Sequence, residues 1–303
     1  MTDIVLHHYN ESPYAEKVRC LLGYKQLDWR SVTVPMVAPK PDLTALTAGY
    51  RKVPVMQIGA DVYCDTRLIA EVIEDLAPSP SASTQAGSFG DLVEHWVDTD
   101  LFGRVVGYAF GGLADMLPDA LLADRAALRG APLEREALKA AAPLAAQQLS
   151  RMVGWVENAL TGRDFINGEH PSGGDFTLYS TLWFAGNGGF DYSPFPLVNA
   201  WRKRMKAFGR GQATPMTAQE ALDLAASHTP KALPATAVHA DPTGLSAGQA
   251  VVISPESLGH GTSVRGNLVA LSARHMTVSH ASPRCGTVHV HFPRLGYRVR
   301  AEG

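Results

Sequence analysis

The chain has 303 residues, 46% of them hydrophobic and 18% charged, a composition that builds packed cores and excludes extended disorder. At roughly 100–200 residues per domain, this length accommodates two or three of them. Lys and Arg number 27 against 29 Asp and Glu, a net charge of −2 that attracts neither nucleic acid nor an anionic membrane.

In chain order, Ile4-Val5-Leu6 predicts a short buried strand, and Tyr14, Val18, Leu21 and Leu22 then fall on one face of a helix. Trp29 to Val34 alternates as a strand, and Asp42 to Thr47 suits a short helix. Val53 to Ile58 with Val62 to Cys64 forms a hairpin around Gly59-Ala60-Asp61. Leu68, Ile69, Val72, Ile73 and Leu76 line a further helix that Asp65 is placed to cap. Residues 1–78 therefore carry the order β-α-β-α-β-β-α. Residues 79–88, rich in Pro, Ser and Gly, are expected to form a linker.

From 89 to 227 the strand signals fade and an all-helical domain is expected. Within it Ser172-Gly173-Gly174-Asp175 spells a capping box, whose glycine pair is expected to loosen the turn. A second linker, 228–243, holds Pro230, Pro234 and Pro242. Residues 244–303 return to short β-branched runs, Ala250–Ile253, Leu268–Leu271, Met276–Val278, Thr287–Phe292 and Tyr297–Val299, which predict a small all-β, SH3-like barrel. The whole is of the α+β multidomain class. The last segment has six arginines, no lysine and two acids, 6 − 2 = +4, which leaves −2 − 4 = −6 for residues 1–243. An independently cored basic module docked on an acidic body is the expectation.

Charge-free stretches are too short for a membrane span, and the first residues lack a basic start and an apolar signal core. Three cysteines, Cys20, Cys64 and Cys285, form no CxxC pair. A reducing cytoplasm is the expected compartment. His289 and His291 fall on one strand face, yet no acidic or cysteine partner lies at ligand-like spacing in the sequence, so no metal is assigned.

Ser12-Pro13-Tyr14-Ala15-Glu16-Lys17-Val18-Arg19, with Val53-Pro54 and Asp65-Thr66 downstream, resembles the glutathione transferase superfamily. The likeness covers about residues 1–226 and implies a thioredoxin-like domain followed by a helical one, with glutathione as co-substrate. It implies a homodimer that conjugates or adds the glutathione thiolate to a small apolar electrophile.

Ser12 matches the activating serine of zeta-class enzymes. At a helix N-terminus its hydroxyl and the neighbouring amides suit a thiolate, although the same residue before Pro13 also reads as a plain cap. Tyr9 and His8 are the rival activators. Val53-Pro54, cis in such a fold, would pair with the cysteinyl backbone, and Asp65 and Thr66 would hold the γ-glutamyl ammonium and carboxylate. Lys40 would reach the glycyl carboxylate. Trp96, Phe102, Tyr108, Tyr179 and Trp183 are core residues or the wall of a second-substrate pocket. Two other readings stay open: a non-catalytic glutathione-binding scaffold whose basic tail recruits a partner, and a glutathione-dependent reductase or isomerase.

Overall fold

A computed structural model describes residues 3–82, 89–233, 238, 241–256 and 263–303. Parts of both expected linkers, 83–88 and most of 234–240, lie outside the described residues. Strand β1 (Ile4–His8) runs into helix α1 (Pro13–Tyr24), followed by β2 (Asp28–Thr33), α2 (Pro41–Leu46), β3 (Val55–Ile58), β4 (Asp61–Cys64) and α3 (Thr66–Leu76). This is the expected thioredoxin-like order. β1 pairs parallel with β2 and antiparallel with β3, and β3 turns tightly into β4.

The helical region contains α4 (Phe89–Trp96), α5 (Phe102–Gly112), α6 (Asp119–Arg129), α7 (Arg135–Ala159), α8 (Gly173–Asn187) and α9 (Pro196–Ala207). A π-helical turn, Val97–Leu101, joins α4 to α5. The capping box at α8 is formed, and Asp175 also accepts from the Ile166 N–H and the Trp201 indole at 2.9 Å each. The expected loosening by its glycines is corrected by the packing. A Cβ on Gly174 would sit 2.8 Å from the Gly90 carbonyl oxygen, so the missing side chain lets α4 approach α8 closely.

The stretch read as wholly helical contains one strand. β5 (Gln212–Pro215) returns to the edge of β2 in parallel, and α10 (Ala218–Ala226) then packs back over the sheet. Its four residues are all exposed, so they carry no hydrophobic alternation for a sequence pattern to register.

The C-terminal region is all β: β6 (Ala250–Pro255), β7 (Val264–Leu271), β8 (His275–Ser282), β9 (Gly286–Pro293) and β10 (Tyr297–Ala301). Within it the spatial order is β10-β6-β7-β8-β9. A flat five-strand row would separate β9 from β10 by about 19 Å at ~4.8 Å per strand, farther than the short β9–β10 link reaches when extended. The row therefore curls like a small barrel.

The tail is not independently cored, contrary to expectation. β9 pairs in parallel with β4, so all ten strands form one sheet in the order β10-β6-β7-β8-β9-β4-β3-β1-β2-β5. One hydrophobic cluster runs from Leu43, Leu46, Val55, Val62 and Cys64 of the first domain to Val251, Ile253, Val278, Val290 and Phe292 of the tail. The pleat explains the sharing. Val55 faces this cluster, while the next residue, Met56, faces the other core with Leu6, Val18, Ile69, Phe176 and Trp201. The first domain is thus buried on both faces, by helices on one and chiefly by the tail on the other. Charge contributes at the rim of this contact, where Arg284 meets Asp42 at 2.6 Å and Arg274 meets Glu71 at 3.6 Å.

Candidate functional site

The start of α1 is built as its sequence suggests. Pro13 occupies the first helical turn and the Ser12 hydroxyl oxygen accepts from the Ala15 N–H at 3.2 Å. The Ser12 O–H in turn donates to the Tyr9 phenol oxygen, and the residue is only 2% exposed. Beside it, the Tyr9 phenol oxygen accepts from Arg125 at 3.2 Å. Burial pushes the Tyr9 pKa up, against the pull of Arg125 and of the Ser12 hydroxyl, so Tyr9 stays a phenol. His8 is committed elsewhere: its ring nitrogens bond Arg19 at 3.0 Å and Ser31 at 2.9 Å, and burial, with Arg19 beside it, brings its pKa to about 4.

Lys40 immediately precedes α2 and places its ammonium over the Tyr9 ring, 5.5 Å from the centroid. Burial and then the charge of Arg125 bring its pKa down to about 8. Arg51 reaches the same corner through Asp124, bonded at 2.6 Å, and Arg125 binds the other oxygen of that carboxylate. Lys40, Arg51 and Arg125 thus share a single acid, which leaves the corner electropositive. Arg125 and Asp124 come from α6, far from the first domain in sequence, and no local motif singled them out.

The Val53-Pro54 peptide is cis and lies just before the first ladder pair of β3. After β4 the chain turns at Asp65, which adopts φ +79 and ψ 134, a conformation that non-glycine residues rarely hold. Its carboxylate accepts from the Arg67 N–H at 3.0 Å and caps α3. The second oxygen accepts from the Tyr297 hydroxyl at 3.1 Å, and Tyr297 is itself bonded to the Tyr50 hydroxyl at 3.1 Å. Tyr297 opens β10, so the tail touches the residue proposed for the γ-glutamyl ammonium.

Thr66 accepts from the Lys17 ammonium at 3.2 Å, and Lys17 pairs with Glu94 of α4 at 2.5 Å. Lys17 and Glu94 are almost wholly buried. Burial raises the Glu94 pKa, but Lys17 and Arg67 outweigh it and keep the carboxylate ionised. Asp98, in the π-helical turn, is half-buried near the same charges, and desolvation raises its pKa to about 6. The N-terminus of α3 therefore offers amides, a hydroxyl and a lysine to an anion, with Asp65, Glu94 and Asp98 close by for a cation.

The candidate pocket aromatics are dispersed. Tyr179 packs on Trp201, Phe102 on Tyr14, Tyr108 on Phe190 and Trp96 on Trp155. Cys20, Cys64 and Cys285 are free and buried, and desolvation pushes each thiol pKa up, which suits small core residues better than nucleophiles. Among the described residues, no helix is long and apolar enough to cross a membrane.

Comparison with known proteins agrees with this architecture. Residues 6–81 match the family model described as glutathione S-transferase, N-terminal domain, and residues 123–204 match the one described as glutathione S-transferase, C-terminal domain. A GST-like protein from Pseudomonas syringae, known from its crystal structure, is 35% identical over 100% of both chains, with a TM-score of 0.79. The chain belongs to the glutathione S-transferase family. FzlA from C. crescentus is 24% identical with a TM-score of 0.56, covering 68% of this chain and 88% of its own. A glutathione transferase homolog from Sulfitobacter, solved with bound glutathione, is 13% identical with a TM-score of 0.54, covering 68% of this chain and 94% of its own. These two share the fold, and the Pseudomonas protein matches across the β tail as well. No curated protein matches the chain.

Proposed function

We propose that this protein is a glutathione transferase that binds glutathione along α1, the Val53-Pro54 turn and the start of α3, and delivers its thiolate to a small apolar electrophile. Asp65 and Thr66 hold the γ-glutamyl ammonium and carboxylate, the Val53 main chain pairs with the cysteinyl unit, and Lys40 neutralises the glycyl carboxylate. Ser12 turns its O–H from the Tyr9 phenol oxygen to the thiolate when glutathione binds. One pKa unit of thiolate stabilisation corresponds to about 1.4 kcal/mol, within reach of a single charge-assisted hydrogen bond. The family's usual homodimer and a cytoplasmic location belong to the same reading.

The observation that carries it is Asp65, held at φ +79 where it caps α3 and accepts from Tyr297, next in the chain to Thr66, which accepts from Lys17. Backbone strain of this kind persists where surrounding contacts over-determine it, and functional sites are where it gathers. A second reading, a glutathione-binding scaffold without turnover, is favoured by the near-complete burial of Ser12 in its capping role.

The experiment is calorimetric titration with glutathione combined with turnover across a panel of apolar electrophiles, on the wild type and Ser12→Ala. Binding in both, with turnover reduced roughly 10–1000-fold in Ser12→Ala, is the expected result. Binding with no turnover selects the scaffold. Release of oxidised glutathione selects a reductase, and absence of binding overturns the proposal.

A further inference from the structure

The parallel pairing of β4 with β9 brings together three side chains that the sequence keeps apart. Asp61 lies opposite His289 and Tyr63 opposite His291, and the pleat puts all four on one face of the sheet. The Asp61 carboxylate Oδ1 is 2.8 Å from His291 Nε2 and 4.0 Å from His289 Nδ1, while Asp61 and His291 are 230 residues apart in the chain. One donor atom from each of the three lies within 4.8 Å of the others. We infer that Asp61, His289 and His291 form a zinc site that fastens the C-terminal strands to the first domain.

The donor set supports this assignment. Two imidazoles and a carboxylate suit a borderline ion such as zinc, whereas calcium and magnesium take oxygen ligands. Zinc holds such donors at about 2.0–2.2 Å in a tetrahedron, which sets donor-to-donor distances of roughly 3.3–3.5 Å. The observed separations bracket that range, so small side-chain rotations suffice. Three protein ligands leave the fourth position to water, and the side chains retain 9–15% exposure, enough for an ion to enter.

The surroundings already orient the ligands. His291 Nδ1 lies 2.9 Å from the Thr277 hydroxyl, the ring stacks on Tyr63 with centroids 4.6 Å apart, and Nε2 is thereby aimed at Asp61. A ligating histidine characteristically has its other nitrogen held in this way. The second Asp61 oxygen accepts from the Lys231 N–H at 2.8 Å, which fixes the carboxylate and leaves Oδ1 for the ion. His289 is the telling member: its Nδ1 is buried without any hydrogen-bond partner. A buried polar atom is costly when unpartnered, and a metal ion at this point would satisfy it.

Bound zinc would join Asp61 of β4 to two histidines of β9. Because the triad exists only when the two strands are paired, zinc affinity becomes stability of the joined sheet. His275 and Glu71 form a separate exposed pair at 2.6 Å, which serves as the internal control.

The test is zinc titration of the full-length, tag-free chain against a chromogenic chelator, with thermal melts in parallel. One ion per chain and a rise in melting temperature are expected. His289→Gln removes a donor that makes no hydrogen bond in the metal-free fold, so it should fold normally, weaken zinc binding by about 100-fold and abolish the thermal shift. Thr277→Val should weaken binding by roughly 10–100-fold through loss of the orienting contact. Asp61→Asn, which keeps an acceptor for Lys231, should behave like His289→Gln. Zinc binding that survives His289→Gln, is removed by His275→Ala, or leaves the melting temperature unchanged would overturn the inference.

Discussion

The first domain makes two contacts of opposite character. Toward the helical region it presents α1 and α3, which meet α4 and α8 through interdigitated side chains and the buried Lys17–Glu94 pair. Toward the tail it offers the main chain of β4, a strand edge that β9 completes, with an apolar face beneath. Helices satisfy their own backbone and present only side chains, so the first contact is specified by residue chemistry. A strand edge must find its hydrogen bonds elsewhere, so the second is specified by geometry.

Removing the tail is the most severe way to break this comparison. A chain ending at Val238 uncovers Leu46, Val55, Val62 and Cys64, each at 0% exposure in the whole protein. At about 1.5–3 kcal/mol for a large apolar side chain, these losses together approach the ~5–15 kcal/mol stability of an ordinary domain. The expected outcome is loss of cooperative melting and of glutathione binding. A soluble fragment that melts sharply and binds glutathione would show the tail contact to be dispensable.

The helical contact breaks through charge. Lys17→Met leaves Glu94 buried without its partner and should cost about 3–5 kcal/mol in a denaturant titration. Lys17→Met combined with Glu94→Leu should recover most of that loss, because two apolar groups carry no desolvation penalty. A single variant as stable as the wild type would mean that the pair is solvated in solution.

Acid provides a third probe, one that acts on both faces of the first sheet. His7 and His8 have pKa values near 4 against 6.5 when unfolded, so the unfolded chain binds more protons between those values. Their contribution is fully present above about pH 6.5 and is lost as pH falls toward 4, on the order of 3 kcal/mol each. Asp98 works in the opposite sense: its pKa is raised to about 6 from 3.8, so the folded state takes up a proton first and gains stability over that interval. Thermal melts should therefore fall from pH 6.5 to 4. Asp98→Asn should be more stable at pH 7 and should lose stability more steeply on acidification, and an unchanged slope would remove Asp98 from the account.

The smallest effect falls where the tail reaches the proposed glutathione site. Tyr297→Phe deletes the hydrogen bonds to Asp65 and to the buried Tyr50 hydroxyl, so glutathione affinity should weaken by at most roughly tenfold and the melting temperature should fall modestly. Unchanged affinity would confine Tyr297 to packing on Phe292 and bonding Tyr50.

Much of the fold was legible because it is written in local patterns. Apolar spacing located α1 and α3, alternation located β2 and the β3–β4 hairpin, and Ser12, Asp65 and Ser172 marked three helix starts that the structure caps as expected. All five tail strands stood out by their β-branched runs. β5 did not, because exposed residues on a sheet edge carry no pattern, and the role of Gly174 was misread because close helix approach is a property of two elements together.

By itself the sequence marked most of the segments that become helices and strands, β5 excepted, and it placed Ser12, Val53-Pro54 and Asp65-Thr66 at three turns of one domain. Periodicity and capping act over a few residues, within reach of a reading along the chain. Only the tertiary structure decided that the tail continues the first sheet, that Tyr297 meets Asp65, that Arg125 joins the Ser12 corner, and that Asp61 faces His289 and His291. Those contacts depend on strand register and helix placement across as many as 232 residues of separation. Side-chain pattern tells which face of a strand is buried, but not which distant edge supplies its hydrogen bonds.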